Sequence, residues 1–181
     1  HSLEKTFEKA EEKAQSINEL LATFKEMMLD KDSQEIATAA VEGCCKLIIF
    51  NKLKEHHILE VLSNMVIALF NPATEKFLQM KQCLSMFLPA FAFSSFRNVE
   101  RVAKIALPTI YRIAHAFDSI NLPQAAQFMI YLSDHTRLKK SKKVTVRVSP
   151  HIHIAVQLAY EVLVSSKKDA NAMCKLFSSF G

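Results

Sequence analysis

The sequence predicts an all-α fold in which antiparallel helix pairs stack side by side as an open solenoid. Three observations carry that prediction. Apolar residues recur at spacings of three and four along nearly the whole chain, the period of a helix with one buried face. Only 2 of the 181 residues are glycine, which leaves little material for hairpin turns or phosphate-cradling loops, whose backbones need glycine's freedom. The predicted helix starts also return at intervals of roughly 40–50 residues, close to the repeat length of helical arrays.

The elements follow in order. Residues 3–29 form a charged amphipathic segment with Leu3, Phe7, Ala10, Ile17, Leu20, Leu21, Phe24 and Met28 on its apolar side. Asp32 is the expected N-cap of the next helix, with Glu35 three residues on as in a capping box. That helix carries Ile36, Ala40, Cys44, Leu47 and Ile48. A break over residues 51–55 leads to its partner, marked by Ile58, Leu62, Met65, Val66 and Leu69. Asn71-Pro72 stops the partner, because proline lacks an N–H and drives the residue before it out of helical geometry.

Thr74 is the expected N-cap of a further helix, whose stripe is Phe77, Met80, Leu84, Phe87, Leu88 and Phe91. Pro89 falls far enough along to bend this helix rather than forbid it. Asn98 is expected to cap a helix through about Phe117, bent again at Pro108. Pro123 suits the first turn of a helix reaching about Arg137. The polar, basic run LKKSKKVTVRVSP separates it from a helix starting near Pro150, and a last short helix follows Asp169.

The first helices of successive pairs thus begin near 33, 74 and 123, and their partners near 56, 98 and 150. Arrays of the HEAT and armadillo kind repeat every 40–47 residues or so. One pair cannot bury both of its apolar faces, so stacking is the natural outcome. A closed helical bundle is the competing architecture. The chain is taken as one helical-repeat domain over residues 1–181, a piece of a longer array, with 138–149 as a basic loop. His1 and Ser2 stand where a Met would open a natural chain, and are set aside as an expression remnant.

Several function classes find no support. No apolar run approaches the ~18 residues of a membrane span. Cys44, Cys45, Cys83 and Cys174 form no C-x-x-C pair, and His56, His57, His151 and His153 supply no ligand face with them. Free thiols within apolar helices are expected, and with them a reducing compartment, cytosol or nucleus. His151 and His153 lie two apart and diverge on a helix, so they are expected to be polar first-turn residues. Ser94 and Ser95 lack a glycine-rich elbow, and no metalloprotease or nucleotide-binding motif occurs. No enzyme, cofactor, metal or small-molecule substrate is expected. Phe87, Phe91, Phe93 and Phe96 are assigned to packing between repeats.

Four blocks carry a resemblance. VEGCCKLIIF (41–50), ALFNPATE (68–75), QCLSMFLPAFAF (82–93) and ALPTIYRIAHA (106–116) occur in that order. Together they resemble the C-terminal domain of the CAP-G subunits of condensin. That family shows an E-G-x-x-K-L-L-L helix, an F-N-P-x-T-E boundary, an R-x-C-L-x-x-F-F-P-x-F/Y-A helix and a later L-P-T-L. Gln82 stands where the family carries a basic residue, and the resemblance ends near residue 116. It implies a HEAT-repeat subunit without catalytic activity, located on nuclear chromosomes with a cytoplasmic pool. The implied partners are the kleisin subunit CAP-H and double-stranded DNA, gripped without sequence preference. The NPATE motif is then a repeat boundary, not a ligand site.

Charge is uneven. Residues 1–35 hold five Lys against nine Asp and Glu, whereas residues 97–181 hold thirteen Lys and Arg against five acids. The densest cluster is Arg137, Lys139, Lys140, Lys142, Lys143 and Arg147, with no acid between Asp134 and Glu161. Such a block suits phosphates, whose counterions it would release, or equally a solvated loop or an address signal. Within it, VTVRV alternates like an extended strand that would pair with another chain, or equally forms a stiff loop packed on the solenoid. A second candidate is Arg97, Arg101 and Lys104 on one helical face, with Arg112 further along. Second helices commonly line the concave side of a solenoid, where this ridge would meet a polyanion; a solvated helical face is the alternative and the more frequent outcome. Lys76 and Lys81 are expected only to solubilise the preceding helix. The alternative function is a helical-repeat adaptor that binds proteins alone.

Overall fold

The computed structural model describes residues 2–117, 121–138 and 149–164. Seven helices occur there: α1 (Ser2–Met28), α2 (Gln34–Ile49), α3 (Glu55–Phe70), α4 (Leu78–Ala92), α5 (Phe96–Ala116), α6 (Leu122–Leu132) and α7 (Pro150–Val164). Among the described residues there is no strand.

α2 packs on α3 and α4 on α5, while α7 packs chiefly on α5 and reaches α6 through His151 and the Ile130 carbonyl. Helices α2, α4 and α6 make one layer, and α3, α5 and α7 the other. α1 packs on α2 and α3 at one end and α7 on α5 at the other, so the array is open and not closed round one centre. A continuous apolar core runs between the layers through Val41, Leu62, Met65, Met80, Leu84, Leu88, Ile110 and Met129, all fully buried.

The turn after α2 closes without glycine. α2 ends at Asn51, whose φ of 53° puts it in the left-handed region. Its N–H reaches the Ile48 carbonyl at 3.0 Å, and the Lys52 N–H reaches that of Leu47 at 3.0 Å. This is a Schellman closure built on asparagine, the residue that best tolerates that backbone after glycine. At Gly43 of α2 a Cβ would stand 2.9 Å from Phe24 Cζ, so the missing side chain makes room for the Phe24 ring of α1. Asn18 of α1 then meets His57 of α3, Oδ1 to Nε2 at 2.8 Å.

Four expected boundaries move. Ser33, not Asp32, caps α2, its Oγ accepting the Ile36 N–H, while Asp30 Oδ1 accepts the Asp32 N–H. Residues 72–74 form a 3-10 turn capped by Asn71, so α4 starts at Leu78 and Thr74 is not its cap. Thr74 is sealed inside and donates to the Ala68 and Asn71 carbonyls. Ser95 caps α5 in place of Asn98, whose amide instead donates to the Phe91 carbonyl and Ser94 Oγ. α6 stops at Leu132, five residues before Arg137, and a second 3-10 turn covers 135–137. At the three N-termini several neighbouring Asp, Ser, Thr and Asn residues are competent caps, and packing of the incoming helix selects among them.

Pro89 and Pro108 lie inside α4 and α5 as expected, and Pro123 sits in the first turn of α6. Phe87, Phe91 and Phe93 pack against the core, and Phe96 meets the ring of His135 edge-on. The last short helix after Asp169 lies outside the described residues.

Candidate nucleic-acid interface

α3 and α5 lie side by side and run in the same direction. Glu55 pairs with Arg101 and Ser63 with Thr109, each across 46 residues, so one repeat of chain separates equivalent positions. This register assembles the candidate site.

At its start, Glu55 opens α3, where a carboxylate also suits the positive end of the helix dipole. Arg101 grips it with both arms, Nε to Oε1 at 2.9 Å and Nη2 to Oε2 at 2.6 Å. Arg97 adds Nη2 to Oε2 at 3.0 Å. The Arg101 Nη1 donates to Asn98 Oδ1 at 2.7 Å. The hydrogen bond from Arg101 is the largest influence on Glu55 and holds its carboxyl down to about 2, although burial opposes this. The two arginines differ in setting: the Arg101 side chain is 13% exposed, that of Arg97 71%. Arg101 is therefore a strut between repeats rather than a free cation, a role the helical spacing alone does not reveal. Lys104, one turn on, is exposed.

Further along, Arg112 donates to Ser63 Oγ at 2.8 Å and to Asn64 Oδ1 at 2.7 Å. Both partners are neutral, and Arg112 is exposed at the surface. The ridge thus holds four cations, Arg97, Arg101, Lys104 and Arg112, of which Arg97 and Arg101 are paired with the carboxylate of Glu55.

The second cluster is described only at its start. Arg137 pairs with Asp134, Nε to Oδ2 at 3.2 Å, and its guanidinium lies 4.5 Å from the centre of the Tyr131 ring. Burial pushes the Asp134 carboxyl up, but two hydrogen bonds from Thr136 and the charges of Arg137 and His151 outweigh it and hold the group low. Lys139, Lys140, Lys142, Lys143 and Arg147, with the VTVRV run, lie outside the described residues.

Lys81 corrects its expected role. It is half-buried, its Nζ reaches the Asn71 carbonyl at 3.5 Å, and burial lowers its pKa against the pull of Glu75. It lines a groove of about 440 Å³ with Phe70, Pro72, Ser85 and Phe128.

Among the described residues no three His, Cys, Asp or Glu side chains gather as a group that could bind a metal. Burial pushes the Cys44 thiol up to about 12 and the Cys45 thiol further, with neighbouring Cys83 adding to the shift of Cys45. All three are free thiols, while Cys174 lies outside the described residues. His151 sits in the first turn of α7 and meets the Ile130 carbonyl at 3.3 Å, while His153 is exposed. No described helix is long and apolar enough to cross a membrane.

The sequence reading missed Glu55, Ser63 and Asn64. A signal was present, since Glu55 precedes Arg101 by one repeat length and Ser63-Asn64 interrupts the apolar run of α3.

Comparison with known proteins supplies the context. The model of the family described as "Nuclear condensing complex subunits, C-term domain" (Cnd3) matches residues 1–181. Human "Condensin complex subunit 3" is 30% identical over 160 residues, which cover 84% of this chain and 15% of the human protein. The Xenopus laevis protein of the same name is 27% identical over 184 residues, covering 94% of this chain and 17% of the relative. The chain thus spans under a fifth of either relative's length. A crystal structure of the S. pombe condensin Cnd3–Cnd2 subcomplex superimposes with a TM-score of 0.74 at 21% identity, covering 86% of this chain and 21% of that one. At that identity it speaks for the fold.

Proposed function

The chain belongs to the family of nuclear condensing complex subunits, C-term domain, and from that premise we propose that it is a non-catalytic helical-repeat module of condensin. In this reading it holds the kleisin subunit, CAP-H, and adds a cationic ridge to a sequence-nonspecific grip on double-stranded DNA during chromosome condensation in the nucleus. The observation that carries the DNA part is the α5 ridge, where Arg97, Lys104 and Arg112 remain exposed on the layer formed by the second helices. Arg137 and the basic residues that follow it, Lys139, Lys140, Lys142, Lys143 and Arg147, extend the proposed contact. The kleisin part draws on the structural neighbour, which was solved as a complex with Cnd2.

Gel shifts of the kleisin-bound chain on duplexes of unrelated sequence, at two salt concentrations, test the reading. Binding is expected on each duplex and is expected to weaken steeply with salt, by about 0.9 in log K per log salt for each phosphate contacted. Binding that ignores salt, or that survives charge reversal of Arg97, Lys104 and Arg112 together with the basic cluster, would sink it.

One observation favours a protein-only adaptor instead. Ile152, Val156 and Tyr160 stand exposed at one-turn intervals on α7, an apolar stripe of the kind that receives a partner helix. Robust kleisin capture with no duplex shift in any buffer would select that alternative.

A further inference from the structure

We propose that Glu55 is an internal stand-in for a backbone phosphate, which pre-orients Arg97 and Arg101 and limits how strongly the α5 ridge takes up DNA. The inference rests on the DNA reading above and assigns that site its regulation.

Two guanidiniums converge on one carboxylate through three contacts of 2.6–3.0 Å. The two-armed grip of Arg101 is the fork geometry that serves carboxylate and phosphate alike. The anion is accessible, since the Glu55 side chain is 39% exposed. A phosphate approaching Arg97 therefore meets both an attracting guanidinium and a repelling carboxylate.

Unequal burial decides which arginine exchanges. Arg101 is held by Asn98 as well as Glu55 and is largely covered, so it stays. Arg97 has one contact to Glu55 and is mostly in solvent, where an ion pair is screened and contributes little. Arg97 is the cation that leaves for a phosphate, and Arg101 is the fixed arm that keeps Glu55 nearby. Glu55→Gln retains an acceptor for Arg101 while removing the charge that competes with DNA.

The experiment compares the full chain with its Glu55→Gln, Glu42→Gln, Arg97→Ala and Glu55→Gln/Arg97→Ala variants, all checked by thermal melts. Glu42 is exposed on α2 in the other layer and controls for net charge. The probes are a fluorescent duplex and a heparin column. Glu55→Gln is expected to bind the duplex about fivefold tighter at low salt, with a slope steeper by about 0.9. Arg97→Ala is expected to abolish that gain, and Glu42→Gln to change affinity by less than about twofold. Equal behaviour of the Glu55→Gln and Glu42→Gln variants on both probes overturns the inference. So does tighter binding by Glu55→Gln that persists without Arg97. A wild-type chain that binds duplex while Glu55→Gln matches it leaves the DNA reading intact and removes the role of Glu55. No duplex binding by any form, with longer heparin retention by Glu55→Gln than by Glu42→Gln, upholds the anion surrogate and removes the DNA reading.

Discussion

The hydroxyl of Ser63 on α3 lies 2.8 Å from that of Thr109 on α5, and both residues are buried. The pair is a polar pin in an otherwise apolar contact, and Arg112 closes it from outside by donating to Ser63 Oγ. An unmade hydrogen bond between buried groups is costly, so this pin penalises any slip of one helix along the other.

Ser63→Ala is accordingly expected to destabilise the chain by about 1–2 kcal/mol, because it strands Thr109 and removes an acceptor from Arg112. Adding Thr109→Val is expected to recover part of that loss by removing the stranded hydroxyl. A double-mutant cycle in urea checks the coupling; additive losses would mean the hydroxyls act independently.

The acid limb of stability reports the Glu55 cluster. Its carboxyl is held at about 2 in the folded chain against an ordinary 4.5. A depressed carboxylate contributes stability that is fully present above the unfolded value and is lost as pH falls through the folded one. Wild type is therefore expected to lose stability between about 4.5 and 2, and Glu55→Gln to lose less over the same window. His57, lowered chiefly by burial, adds a loss that begins at higher pH and is common to both forms. Urea melts from pH 6 down to pH 2, compared between the two, isolate the Glu55 share.

Asn51 tests the closure of α2. Its left-handed backbone suits glycine best and asparagine next. Asn51→Ala is expected to cost about 1 kcal/mol and Asn51→Gly to be neutral or slightly stabilising. Thermal melts that rank alanine above glycine would contradict the Schellman assignment.

Much of the fold was legible in the chain. The three-and-four spacing of Ile58, Leu62, Met65, Val66 and Leu69, for example, predicts α3, and Ile58, Leu62, Met65 and Val66 are indeed buried. Helix ends were legible only to within a few residues, since Asp32 and Ser33 are equally able caps until α1 packs and Asp30 turns inward to the backbone. Phe77 shows the same limit, as it heads α4 without belonging to it because the 3-10 turn intervenes.

The site was half legible. That Arg97, Arg101 and Lys104 share a face follows from 3.6 residues per turn. Whether their charge is free does not, because the answer lies on another helix.

Local periodicity, proline and the scarcity of glycine by themselves determined that this chain is a row of amphipathic helix pairs, since burial of one helical face is written in spacing alone. The lateral register of α3 against α5 was left to the tertiary structure. Only that 46-residue offset brings Glu55 to Arg101, and it makes one arginine a strut and its neighbour an exposed cation. Screening and burial depend on distance in space, which separation along the chain does not specify.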